Sequence, residues 1–131
     1  PSLKSDLHFL KEKINLGADY IVTQMFFDNS KFFEFKELCE KKGIDVPIIP
    51  GLKPISTLKQ INLLPHRFHC DLPEELIKAL IKCKDNSEAR QVGIEWCIKQ
   101  SKELMDAGLP FLHYYSMGRS SNIRAVAEAI F

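Results

Sequence analysis

Three polar side chains follow apolar, strand-like runs, and each could bind a small molecule. Gln24 lies within residues 23–28, Thr-Gln-Met-Phe-Phe-Asp, Gln60 follows the loop at 50–56, and Arg119 lies in the loop at 116–122. An amide offers both a hydrogen-bond donor and an acceptor. A guanidinium beside hydroxyls and a helix N-terminus suits a phosphate or a carboxylate. These residue types could therefore bind a ligand. No Ser/His/Asp order, P-loop or G-x-G-x-x-G motif is present.

Each of these places also has a purely structural interpretation. Gln24 could be a core amide whose hydrogen bonds are satisfied by the protein. In the loop at 50–56, Gly51 could let backbone approach a ligand closely, but the loop could also be an ordinary strand-to-helix connection. The segment at 116–122 could simply cap the following helix. The residues by themselves leave these alternatives open.

One short segment of the sequence contains residue types that can bind a metal ion. His66, His69 and Cys70 lie close together, and these residue types bind zinc. No second pair of ligands with metal spacing follows them, so the sequence predicts no metal site.

The elements that position these side chains alternate between helix and strand. Apolar runs without alternation predict strands that are buried on both faces. Such strands, separated by helices and without hairpin signals, indicate a parallel α/β sheet, either a barrel segment or a doubly wound fold. The predicted strands are 18–27, 46–52 and 110–115. The first four predicted helices are 3–15, one from the cap at 28–30 to near Gly43, one from a cap at Ser56 or Thr57 to Leu64, and 72–83. A longer helix runs from the cap at 85–87 to Gly108, with an apolar stripe that includes Met105, and the last one follows the loop at 116–122.

Composition limits the class of protein. The chain has 131 residues, of which 45% are hydrophobic and 27% charged, with a formal net charge of +1. This is ordinary for a globular domain, and no basic field favours nucleic acid or an anionic membrane. The longest apolar runs are far shorter than the roughly 20 residues of a membrane helix. The four cysteines form no C-x-x-C pair and no signal peptide is visible, so we expect reduced thiols in a cytoplasmic protein.

Several segments together resemble the C-terminal half of the methylenetetrahydrofolate reductase family. One is the Thr-Gln-x-Phe-Phe-Asp block at 23–28, and another is the Val-Pro-Ile-Ile-Pro-Gly-Leu block at 46–52. Others are Leu-His-Tyr-Tyr-Ser-Met-Gly-Arg at 112–119 and the helix that carries Asp6 and Lys13. The resemblance covers nearly the whole chain in order and spacing.

The resemblance implies a fold and a reaction. The family fold is a (β/α)₈ TIM barrel of about 250 residues, so residues 1–131 would be a partial barrel domain containing about strands 6–8. The family uses FAD and transfers hydride from NADH or NADPH to 5,10-methylenetetrahydrofolate, which gives 5-methyltetrahydrofolate in one-carbon and methionine metabolism. A fragment with open strand edges would self-associate or form a homo-oligomer, and would be inactive alone.

The resemblance also implies roles for five residues. Asp6 and Lys13 would bind the ribityl and phosphate region of FAD. Gln24, Gln60 and Arg119 would bind the substrates, with the amide of Gln24 on the pterin.

Three further consequences follow from the same resemblance. Ala18 would pack behind the flavin-facing segment. Leu64 replaces an aromatic residue that is frequent in the family, and Ser-Met-Gly-Arg at 116–119 replaces Thr-Leu-Asn-Arg. The family's proposed acid lies in the other half of the barrel, so no catalytic residue is assigned in this chain.

Two other classes of function compete with this one. One is a non-catalytic interaction module that uses a half-barrel as a docking surface. The other is a different TIM-barrel enzyme that holds phosphate with the loop Gly118-Arg119-Ser120. A phosphate enzyme has no evident need for both Gln24 and Gln60, which favours the reductase over this last class.

Overall fold

A computed structural model describes residues 17, 19–61, 72–115 and 121–130 of the chain. Short parallel strands alternate with longer helices, as the sequence pattern predicts. In chain order the elements are β1 (Ile21–Val22), α1 (Asn29–Lys41), β2 (Ile48–Ile49), β3 (Gly51–Leu52), α2 (Glu74–Ile81), α3 (Asn86–Asp106), β4 (His113–Tyr114) and α4 (Ser121–Ile130).

The middle strand segment pairs on both sides. β1 runs parallel to β2, and β3 runs parallel to β4. The amide of Ile21 donates to Pro47 O at 2.9 Å, and the amide of His113 donates to Pro50 O at 3.0 Å. Pro50 has no N–H to offer a ladder, and it separates the run predicted at 46–52 into β2 and β3. The three predicted strands are therefore confirmed as parallel neighbours, but each is shorter than predicted.

Aspartate side chains begin two of the helices. Asp28 caps α1 by accepting from the amide of Ser30 at 3.0 Å, and Asp85 caps α3 by accepting from the amide of Glu88 at 3.0 Å. Such caps satisfy amides that lack a partner within the helix. Gly43 and Gly108 follow α1 and α3 with φ of 79° and 91°, which is the left-handed conformation that ends helices. Both predicted caps and both predicted stops are confirmed.

Two apolar clusters form the core. The first packs the strands against α1, α3 and α4 and includes Leu52, Leu104 and Val126, all fully buried. The second lies between α2 and the first half of α3 and includes Leu76 and Leu80. Helix α3 contributes to both clusters, so it connects the sheet to α2.

The buried face of α3 differs slightly from the predicted one. We expected an apolar stripe that included Met105, but this side chain is 37% exposed. Instead, Gly93 and Gln100 are buried on this face. The absence of a side chain at Gly93 lets α3 approach the backbone of Ile55 closely.

The predicted helix at 3–15 and the end of the one at 57–64 lie outside the described residues. So does the segment that carries His66, His69 and Cys70. In the ranges that the structure does describe, no three metal-binding side chains form a group, and none of the helices is both long and apolar enough to cross a membrane.

Candidate functional site

The carboxyl ends of β1 and β4 are joined by hydrogen bonds through Thr23. The Tyr115 hydroxyl donates to Thr23 O at 2.8 Å, and the Gly51 amide donates to Thr23 Oγ1 at 2.9 Å. The Thr23 amide in turn donates to Ile49 O at 3.0 Å. Every polar atom of Thr23 is therefore hydrogen-bonded, and this residue is fixed at the edge where parallel α/β proteins bind ligands.

Gln24 follows Thr23 at this edge and is exposed to solvent. Its neighbours along the chain are both held, because Thr23 is fully hydrogen-bonded and Met25 is buried in the second cluster. The alternative of a buried core amide is therefore wrong. An exposed amide on a fixed backbone has a donor and an acceptor to offer to a ligand.

Gln60 has a structural task that the sequence did not reveal. Its Oε1 accepts from the amide of Ser56 at 2.7 Å and from the amide of Thr57 at 3.3 Å. The glutamine therefore caps the turn that leads into Ile61, whereas we expected Ser56 or Thr57 to be the cap. Since two backbone amides occupy Oε1, the Nε2 donor is what this side chain offers to a ligand.

The loop at Gly51 has a different reason for its glycine than the one considered from the sequence. A Cβ at position 51 would lie 2.5 Å from Thr23 O and 2.7 Å from the ring of Tyr115. The close approach is therefore to the protein's own backbone and ring.

The other residues implied by the resemblance lie outside the described part of the chain. They are Asp6, Lys13 and Arg119, together with Ala18, Leu64 and the loop at 118–120. Their assignments stay predictions.

A buried polar cluster lies on the opposite, helix-facing side of the strands. The Ser101 and Tyr114 hydroxyls are 2.8 Å apart, and Ser101 Oγ also donates to Cys97 O at 2.8 Å. Lys53 is only 3% exposed, and its Nζ donates to Pro54 O at 3.4 Å. Burial lowers the pKa of Lys53 and raises the pKa of Tyr114. Lys53 directly follows an apolar strand, and no sequence signal predicted its burial.

Cys97 provides a test of this packing. Burial raises the pKa of its thiol to about 12, so only about one molecule in ten thousand carries the reactive thiolate at pH 8. We expect iodoacetamide to leave Cys97 unmodified in the folded protein and to modify it fully in denaturant. Peptide mass spectrometry measures each cysteine separately, with the partly exposed Cys83 as the internal comparison. Modification of Cys97 before Cys83 in the folded protein would contradict the burial.

A pair of amides, Asn29 and Gln100, fixes the start of α1 against α3. Asn29 Nδ2 donates to Gln100 O at 3.2 Å, and Gln100 Nε2 donates to Asn29 Oδ1 at 3.1 Å. Gln100 Nε2 also donates to Phe26 O at 3.2 Å. Because Phe26 O and Asn29 Oδ1 are both acceptors, the nitrogen of the Gln100 amide, and not its oxygen, must face them. The pair connects the segment after Gln24 to the long helix and so stabilises the edge.

These features define a parallel α/β protein. A family model described as methylenetetrahydrofolate reductase matches residues 1–130, and the chain belongs to this family.

Relatives from three kingdoms agree with the family model. The chain is 35% identical over 132 residues to a probable methylenetetrahydrofolate reductase (NADPH) of Caenorhabditis elegans, covering 99% of this chain and 20% of that protein. It is 39% identical over 117 residues to methylenetetrahydrofolate reductase (NADH) 1 of Arabidopsis thaliana, covering 88% and 20%. It is 31% identical over 130 residues to the 5,10-methylenetetrahydrofolate reductase of Escherichia coli, covering 98% and 44%. The chain thus spans less than half of each relative.

Proposed function

We propose that this chain is the C-terminal part, about strands 6–8, of the catalytic barrel of an FAD-dependent methylenetetrahydrofolate reductase. In this proposal residues 1–131 form a partial barrel domain. The protein reduces 5,10-methylenetetrahydrofolate to 5-methyltetrahydrofolate with NADH or NADPH. The observation that carries the proposal is the match of the family model over residues 1–130, and the exposed amide of Gln24 at the carboxyl end of a parallel strand supports it.

Five residues would bind the cofactor and the substrates. Asp6 and Lys13 would bind FAD, since a carboxylate suits ribityl hydroxyls and an ammonium suits a pyrophosphate. Gln24 would hydrogen-bond the pterin, and the Nε2 of Gln60 would donate to the alternating substrates. Arg119 would bind a carboxylate or a polar ring edge. No residue of this chain is proposed as the catalytic acid.

Gln24 and Gln60 have the hydrogen-bonding groups that the rim of a flat ring system would need. The exposed Gln24 amide supplies both, and Gln60 supplies a donor because its oxygen is occupied. Bound FAD would supply the acceptor and donor of hydride. The role of this chain would be to hold the ligand rings in position and to replace their hydrogen bonds to water.

Three free thiols among the described residues also support a reducing compartment such as the cytoplasm.

Gln24→Ala tests this function in the complete natural protein. We expect reoxidation of the reduced flavin by methylenetetrahydrofolate to slow about tenfold, because a ligand group loses one hydrogen-bonding partner. Stopped-flow absorbance of the flavin follows reduction by NAD(P)H and reoxidation by folate separately. Gln91→Ala is the matched control, since Gln91 is another exposed glutamine but lies on α3.

Two results would contradict the proposal. If the wild-type protein bound FAD but its reduced flavin were not reoxidised by methylenetetrahydrofolate, the reductase function would be wrong. If the wild-type protein were active and Gln24→Ala matched Gln91→Ala, only the role of Gln24 would be wrong.

A further inference from the structure

Tyr115 lies far from Gln24 in the sequence, yet it determines where the backbone before Gln24 lies. The Tyr115 hydroxyl donates to Thr23 O across 92 positions of sequence. The Gly51 amide holds the hydroxyl of the same threonine. We call these two hydrogen bonds the Tyr115 clasp. They connect the carboxyl ends of the two outer strands across the middle one.

The atoms around the Tyr115 ring are closely packed. A Cβ on Gly51 would contact both Thr23 O and the Tyr115 ring, at 2.5 and 2.7 Å. The ring of Tyr115 also rests edge-on against the ring of His113, with centroids 4.6 Å apart. The tyrosine is therefore confined on two sides, so its hydroxyl reaches Thr23 from one direction only.

The accepting carbonyl belongs to the peptide unit that Thr23 shares with Gln24. A hydrogen bond to this oxygen restrains the peptide group, and because the group is planar it also restrains the positions of the amide and the Cα of Gln24. Met25 is buried on the other side. The backbone is therefore restrained on both sides of Gln24, and the clasp limits where the Cβ of this exposed side chain can lie.

We propose that Tyr115 is a positioning residue that acts through Thr23 to orient the Gln24 amide toward the pterin. This inference rests on the proposed function. Tyr115 does not itself contact the substrate in this proposal. An amide that is held in place before the substrate arrives does not have to be ordered during binding. Such positioning in advance accounts for part of the efficiency of enzyme sites.

Tyr115→Phe in the complete natural protein tests the inference. The ring stays and one hydroxyl is lost, so we expect reoxidation of the reduced flavin by methylenetetrahydrofolate to slow about tenfold. Reduction by NAD(P)H should change less than twofold. In a Gln24→Ala background, Tyr115→Phe should have no further effect on reoxidation, because the group that it positions is gone.

Tyr114→Phe is the matched control. It removes a hydroxyl with an equally short hydrogen bond, 2.8 Å to Ser101, from the neighbouring residue on the helix-facing side. We expect it to lower the melting temperature and to leave both flavin half-reactions unchanged.

Thr23 supplies a second pair of variants should Tyr115→Phe fail to fold. Thr23→Val loses the bond from Gly51 while keeping the shape, and Thr23→Ser keeps the bond. Slow reoxidation in Thr23→Val with normal reoxidation in Thr23→Ser supports the clasp. An active wild-type protein in which the effects of Tyr115→Phe and Gln24→Ala simply multiply would overturn it. A wild-type protein without folate activity would instead refute the proposed function.

Discussion

Replacing Gly93 by alanine is expected to destabilise the protein by about 3 kcal/mol, the upper end of the usual cost of overpacking a core. In an ordinary helix the same change is stabilising by about 1 kcal/mol. Here the added methyl group would overlap the carbonyl oxygen of Ile55 and lie 2.7 Å from its carbonyl carbon and nitrogen. Backbone cannot rotate away as a flexible side chain can, so helix α3 must move.

The expected change in the free energy of unfolding has the opposite sign to that of a glycine-to-alanine change in an ordinary helix, so the measurement distinguishes the two cases. Urea denaturation followed by circular dichroism gives the free energy of unfolding of each variant. Gln91→Ala, an exposed substitution two residues away on the same helix, is expected to stay within about 0.5 kcal/mol of the wild type. Equal or increased stability of Gly93→Ala would mean that α3 does not approach Ile55 as described.

Gly51→Ala is expected to have the second large effect, on both stability and catalysis. The methyl group would press against Thr23 O and the Tyr115 ring, so we expect a loss of about 1 to 3 kcal/mol in the free energy of unfolding. If Thr23 shifts by about 1 Å, the Gln24 amide shifts with it, and such a displacement can slow a reaction about 100-fold. Under the proposed function, stopped-flow reoxidation of the flavin by methylenetetrahydrofolate in the complete natural protein measures the second effect.

A double variant separates the two contacts of this methyl group. Tyr115→Ala removes the ring but leaves Thr23 O in place. Gly51→Ala should therefore cost less stability in the Tyr115→Ala protein than in the wild type, since one of its two clashes is gone. Strict additivity of the two free energies would show that the ring and the methyl group do not meet.

The helix ends and the strands could be predicted from the sequence because they depend on residues that are close together in the chain. Asp28 and Asp85 cap helices through amides only two or three residues away. Gly43 and Gly108 end helices by their own backbone conformation. Continuous apolar runs indicated the parallel strands, and Pro50 explains why one of them is divided. Their predicted burial is only partly correct, because Tyr20 and Phe111 within these runs are 59% and 64% exposed. The segments that resemble methylenetetrahydrofolate reductases likewise belong to the sequence alone, and the family model confirms them.

The tertiary structure decided which of these residues meet. Residue type did not distinguish a buried Gln24 from an exposed one, nor predict the burial of Lys53, because burial depends on which elements pack over a position. Gly93 and Gly51 look like ordinary glycines until Ile55, Thr23 and Tyr115 come close to them. The hydrogen bond from Tyr115 to Thr23 joins residues 92 positions apart, and only the packing of neighbouring strands brings such partners within 3 Å.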